Sequence, residues 1–187
     1  MIKLEEQYEY SGTVKAISEF FEKVVAEFLG GKWMGEENPK SFGDVYLDDI
    51  AIDVKTSNIN AKMSMPNMSS QDVLFKKLKD KDNDLLYHFV VYDYDKENGI
   101  VYIKNQRTAY FEELNPECLQ VSAQGKGVLQ IKNGWLKKRF EDCFVEKMNR
   151  TEALVHLAKK TVVFCDKQLE QKTQIKKDMK YYLAKVS

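Results

Sequence analysis

Histidine is scarce in this chain: His88 and His156 are the only two in 187 residues. A histidine-built metal cluster or a Ser-His-Asp triad is therefore poorly supplied. The three cysteines, Cys118, Cys143 and Cys165, are odd in number and widely spaced, which fits neither a disulfide framework nor a zinc site. No apolar run approaches the roughly 20 residues that span a bilayer. The opening Met-Ile-Lys-Leu-Glu-Glu has acids where a signal peptide has its apolar region. Long linkers rich in Pro, Gly or Ser, internal repeats and low-complexity tracts are absent too. Together these absences describe a reduced, cytoplasmic protein forming one domain over residues 1–187, with 43% hydrophobic residues to bury a core.

Net charge is also lacking, at zero, but its distribution is uneven. Residues 132–187 hold fourteen basic and seven acidic side chains, so the excess of seven positive charges is balanced by seven negative ones in residues 1–131. A basic, helical C-terminal part can meet phosphates, although lysines also simply keep helices soluble. The segment Gln124-Gly125-Lys126-Gly127 lacks the glycine spacing of a phosphate-binding loop, which speaks against a nucleotide site and leaves Lys126 as a candidate mobile phosphate contact.

What is present centres on Phe42 to Thr56. Asp44 to Leu47 reads as one strand, Asp48-Asp49 as the turn, and Ile50 to Thr56 as the returning strand. Side chains alternate faces along a strand. Ile50, Ile52 and Val54 are therefore expected in a core, with Asp53 and Lys55 sharing the other face and Asp44 reaching them from the partner strand. Two carboxylates beside an ammonium can hold a divalent cation and a water together. The triplet alone is uninformative, because Glu170-Gln171-Lys172 and Asp178-Met179-Lys180 match it on a lysine-rich helix, where residues two apart do not share a face. The bland alternative for Asp53 and Lys55 is an exposed surface ion pair. Upstream, Thr13 to Leu29 carries the strongest helical signal: Val14, Ile17, Phe20, Phe21, Val24, Val25, Phe28 and Leu29 form an apolar stripe. Ser11 or Thr13 is placed to cap it and Gly30-Gly31 to end it. Glu22 stands at the edge of that stripe.

This constellation resembles the active site of the PD-(D/E)XK nucleases, the family that includes most type II restriction endonucleases. Asp44 takes the place of the first acid, Asp53 of the second, and Lys55 of the lysine, while Gly43 stands where that family often has proline. The resemblance implies Mg²⁺ held by Asp44, Asp53 and the Val54 carbonyl, with Lys55 positioning the attacking water and the helical Glu22 approaching the metal. It further implies a mixed α/β (α+β) fold, with a four- or five-stranded mixed sheet flanked by helices. The implied activity is that of a hydrolase: site-specific cleavage of double-stranded DNA to 5′-phosphate and 3′-hydroxyl ends, by a homodimer. A junction-resolving or repair nuclease of the same fold and a non-catalytic DNA-binding domain remain alternatives.

The remaining segments supply lesser candidates. Asn58 to Ser70 reads as an irregular loop, in which Asn58, Asn60, Lys62 and Asn67 could meet DNA, and Ser69 to Asp72 as the start of a short helix reaching Lys79. Leu85 to Tyr94 is β-branched and aromatic enough to be a buried central strand, with His88 packed in it. Lys96 to Gly99 is a turn, after which Ile100 to Ile103 returns. Asn133, Lys137, Lys138 and Arg139 form either a DNA-backbone patch with Asn133 as a base reader, or the start of an amphipathic helix that buries Trp135 and Phe140. Thr151 to the C-terminus reads as one or two helices, with Leu154, Leu157, Val162 and Phe164 inward, covering the sheet or forming a dimer interface.

Overall fold

The computed structural model describes residues 3–13, 16–35, 43–48, 50–61, 66–80, 84–122 and 127–186. Its largest feature is a six-stranded sheet in the order β1-β7-β6-β4-β3-β2. The strands are β1 (Gln7–Glu9), β2 (Lys32–Trp33), β3 (Val45–Leu47), β4 (Ile50–Asn58), β6 (Leu86–Asp95) and β7 (Ile100–Tyr110). All neighbours run antiparallel except β4 and β6, which are parallel from Ile52 opposite Leu86 to Asn58 opposite Tyr92. The chain leaves β4 and returns in β6 by way of β5 (Asn67–Ser70) and helix α2 (Gln71–Lys79). A second, three-stranded sheet has the order β5-β9-β8, with β8 at Leu119–Ser122 and β9 at Val128–Ile131.

The central strand β6 is buried on both faces, as its continuous apolar run predicts. Tyr87, Phe89 and Val91 join one core, with Leu74 and Leu78 of α2 and Leu129 and Ile131 of β9. Val90 and Tyr92 join the other, with Ile17, Phe21 and Val25 of helix α1 (Ile17–Leu29). The turn after β6 closes on Asp95, whose carboxylate accepts from the Glu97 and Asn98 amides. His88 is a packed histidine: it is fully buried, its Nδ1 lies 3.0 Å from Thr108 Oγ1, and desolvation pushes its pKa down to about 4.

The mixed sheet with helices on its faces agrees with the expected fold class, with six strands rather than four or five because β1 and β2 add at the two edges. Other expectations are corrected. α1 starts at Ile17, and neither Ser11 nor Thr13 caps it; Ala16 takes that position with no side-chain bond. The other end is as read, since Gly30 adopts the left-handed conformation (φ 64°) that closes the last turn. Phe28 is exposed, because the stripe is wider than the surface α1 covers. Ile50 is exposed too, at the tip of the β3–β4 hairpin, where the neighbouring strand ends. Asn58 to Ser70 is not one irregular loop: Asn58 closes β4, and Asn67–Ser70 is β5, paired with β9. Downstream, α3 (Asn133–Lys138) precedes one continuous helix α4 (Arg150–Val186), not two. Ala153 and Leu157 of α4 are buried, but Val162 is 57% exposed on the side away from the core.

Candidate active site

Four elements bring the predicted residues together. β4 supplies Asp53 and Lys55, the residue before β3 is Asp44, α1 supplies Glu22, and β2 supplies Trp33, a residue the sequence did not single out. Pairing of β3 with β4 ends at Val45 opposite Ile52, so β4, which continues to Asn58, runs six residues past its short partner. There Asp44 takes over from the ladder. Its amide donates to the Ile52 carbonyl at 2.9 Å, and its Oδ2 accepts from the Val54 amide at 2.8 Å. The N–H and C=O of one strand residue lie on the same edge, so the Val54 carbonyl faces the Asp44 side as well.

Ile52 and Val54 point into the α1-side core at 3% and 4% exposure. Asp53 faces the other way, as alternation requires, yet it is only 4% exposed. It sits opposite the fully buried Tyr87 in the β4–β6 register, and Lys55 Nζ donates to its Oδ1. This is not a surface ion pair. Desolvation raises the Asp53 pKa to about 8; Lys55 opposes that shift, and the Asp44 carboxylate, with which protonated Asp53 shares a hydrogen bond, reinforces it. Burial likewise raises Glu22, an effect that the Trp33 hydrogen bond opposes and the Asp44 charge adds to. Trp33 Nε1 donates to Glu22 Oε2 at 2.9 Å, and Lys23 Nζ lies 4.2 Å from the Trp33 ring centroid. One turn earlier, the Ser18 and Thr56 hydroxyls meet at 2.7 Å and tie α1 to β4. No local pattern marks Trp33 as a functional residue; only the return of β2 alongside α1 places its indole at Glu22.

The result is a cluster with more carboxylate than cation, in which a buried acid retains a proton near neutral pH. An all-oxygen donor set of this kind suits a hard divalent ion that keeps several waters, as Mg²⁺ does. Among the described residues no three His, Cys, Asp or Glu side chains converge into a metal cage, so the fit is to a two-carboxylate site completed by solvent.

The proposed DNA contacts divide. Asn58 Oδ1 accepts from the Asn60 amide, and Asn60 Nδ2 donates to Asp93 at 2.6 Å. Lys137 Nζ donates to the Ala61 carbonyl, which brings α3 beside this turn at the far end of β4. Asn58 closes β4 five residues past Asp53, roughly 17 Å along the strand, and Asn60 lies in the turn that follows. Lys137, Lys138 and Arg139 line one hollow of about 350 Å³. Arg139 also stacks on Trp135 at 4.2 Å and pairs with Asp142. Leu136 and Phe140 are buried beneath them and Trp135 is half-buried, so the segment is an amphipathic helix that also presents cations. Asn67 is elsewhere, bonded to Gln130 across the small sheet, and Asn133 begins α3. Lys62 and Lys126 lie outside the described residues.

Comparison with known proteins finds no matching family model and no matching curated protein. Among solved structures, the NlaIV restriction endonuclease is similar with a TM-score of 0.46 and 16% identity, over 67% of this chain and 60% of that one. The match thus spans about three fifths of that protein's length. A likeness this loose decides neither substrate nor mechanism. No helix among the described residues is long and apolar enough to cross a membrane.

Proposed function

We propose that this chain is a Mg²⁺-dependent, site-specific deoxyribonuclease of restriction-endonuclease type, acting on double-stranded DNA as a homodimer. The observation that carries the reading is the buried Asp53, held between Asp44 and Lys55 with its pKa raised to about 8. Burying a carboxyl destabilises a fold unless partners compensate, and one lysine does not compensate here. Perturbed acids of this kind cluster where chemistry is done.

Asp44, Asp53 and the Val54 carbonyl would hold the cation, with Glu22 at its margin. When bound, Mg²⁺ supplies charge neutralisation at the phosphate and a lowered pKa for water. Asp53 would have to be ionised to serve as a ligand, its proton passing to solvent. The Lys55 ammonium beside it would orient the nucleophile and stabilise charge that builds on the phosphate oxygens. In-line attack at phosphorus breaks the bond to the 3′ oxygen and leaves 5′-phosphate and 3′-hydroxyl ends. Asn58, Asn60 and Lys137 are the side chains best placed to meet the same duplex.

Incubation with a phage genome and Mg²⁺, and again with EDTA, tests this directly. Discrete bands that need the metal are expected, and Asp53→Ala or Lys55→Ala should abolish them while DNA binding persists. Unchanged cleavage in both variants would sink the assignment. Cleavage confined to branched or damaged DNA would reassign the substrate to that of a resolving or repair nuclease. Binding without any cleavage would make the chain a DNA-binding domain.

A further inference from the structure

Helix α4 runs for 37 residues, about 55 Å at 1.5 Å per residue. Among the described residues, its buried and half-buried positions all lie in the first half, up to Gln168. From Leu169 to Tyr181 every residue is exposed, although a helix without tertiary packing is marginal in water. Val155, Ala158, Val162, Cys165, Leu169 and Met179 lie on one stripe of alternating three- and four-residue spacings that Lys172 and Lys176 complete and that Leu183 and Val186 continue in sequence, while Val163, Ile175 and Tyr181 lie off it. That is a heptad seam, the signature of a helix that pairs with another helix. It is distinct from the Ala153 and Leu157 face turned to the core, and Val155, Val162, Leu169 and Met179 on it are 45–66% exposed.

We propose that α4 pairs along this seam, in antiparallel orientation, with the α4 of a second copy of the chain. The two lysines choose the orientation. A parallel pair would stack Lys172 on the partner's Lys172 and Lys176 on the partner's Lys176, two layers of like charge. The antiparallel pair centred between Glu170 and Gln171 sets Leu169 against the stem of the partner's Lys172, Cys165 against the partner's Lys176, and Val162 against the partner's Met179. No lysine on the seam then faces another. The receiving surface exists in each protomer: a groove of about 710 Å³ between α2 and α4, lined by Phe75 together with Ala158, Val162 and Cys165 of the seam. Each protruding half-helix fills the groove of the other copy, the isologous contact that a two-fold dimer requires. The pairing would supply the homodimer of the proposed function, but it is judged by mass and cross-linking, whereas the nuclease activity is judged by cleavage.

Sedimentation of the full-length chain at tens of micromolar is expected to give twice the 21.8 kDa of one protomer. The double substitution Val162→Lys and Leu169→Lys, at side chains more than half exposed in the protomer, should give single chains that keep the near-ultraviolet circular dichroism of the folded core and lose part of the far-ultraviolet helical signal as the unpaired half-helix frays. Lys176→Cys treated with diamide should cross-link efficiently, through its new thiol and the partner's Cys165. A single-chain mass for the unmodified protein, or a double-lysine variant that stays dimeric, would overturn the seam. Cross-linking of the unmodified protein through Cys165 to the partner's Cys165 would overturn the antiparallel arrangement.

Discussion

Replacing Asp53 by asparagine should stabilise this protein at neutral pH, and the size of the gain follows from the site. The carboxyl's pKa stands at about 8 in the fold, against 3.8 for the free group. Below about pH 4 both folded and unfolded chains hold the proton, so the group contributes nothing to the pH dependence. Above it the unfolded chain ionises while the folded one keeps its proton, and stability falls by about 1.4 kcal/mol per pH unit until the folded group ionises. At pH 7 the accumulated deficit has a ceiling of about 4 kcal/mol. The asparagine removes this deficit but puts an amide in place of the protonated carboxyl that meets Lys55 and Asp44, a loss of about 1–2 kcal/mol. The expected net gain is about 2–3 kcal/mol at pH 7, or about 4–12 °C in Tm for a chain of this size. Urea unfolding followed by circular dichroism in EDTA, at several pH values, measures it. Equal stabilities at pH 7, or a difference that does not shrink towards pH 4, would refute a buried, proton-retaining Asp53. Added Mg²⁺ should then stabilise the unmodified protein and not the variant.

Three further outcomes follow from the same geometry. Cleavage at limiting Mg²⁺ should rise with pH through about 8, because Asp53 must release its proton to serve as a ligand, and higher Mg²⁺ should move that rise to lower pH; a flat profile in initial rates would contradict it. Trp33→Phe removes the N–H that holds Glu22 Oε2, so it should raise the Glu22 pKa further and raise several-fold the Mg²⁺ concentration that cleavage needs, while leaving the unfolding free energy within about 1–2 kcal/mol of the parent, as titration by NMR, initial rates and urea unfolding would show. Leu157→Ala, at a side chain 3% exposed where α4 is rooted in the core, should cost about 2–5 kcal/mol in urea unfolding; a smaller loss would mean that α4 is not anchored there.

Legibility from the sequence was uneven, for physical reasons. α1 and the β3–β4 hairpin could be read because their burial has a period carried in a local window, and the central strand β6 because a strand buried on both faces is a continuous run of β-branched and aromatic residues. The juxtaposition of Asp44 with Asp53 followed from hairpin spacing. The degree to which Asp53 is buried did not, because it depends on Tyr87, supplied by a strand more than thirty residues away. Trp33 was missed for the same reason: an edge strand of two residues has no periodicity to detect. The interval between Asn58 and Ser70 looked irregular because β5 has no apolar alternation, and its pairing with β9 is set by a segment about sixty residues downstream. Val162 looked inward because α4 has two apolar faces, and the sequence alone did not say which one the core takes.

The acids at the site belong to parts of the sheet with unequal staying power. Asp53 sits on a strand clamped to β6 over seven residues, whereas Asp44 leads into a three-residue strand backed only by a two-residue edge. In hydrogen-exchange terms, the amides of β2 and β3 should open through local fraying at a small fraction of the global free energy, while those of β4 and β6 wait for the whole molecule to unfold. The second carboxylate can therefore come and go on a timescale of its own, and a ligand that bridges Asp44 to Asp53 would register first as slowed exchange in β2 and β3, well before any change in the core.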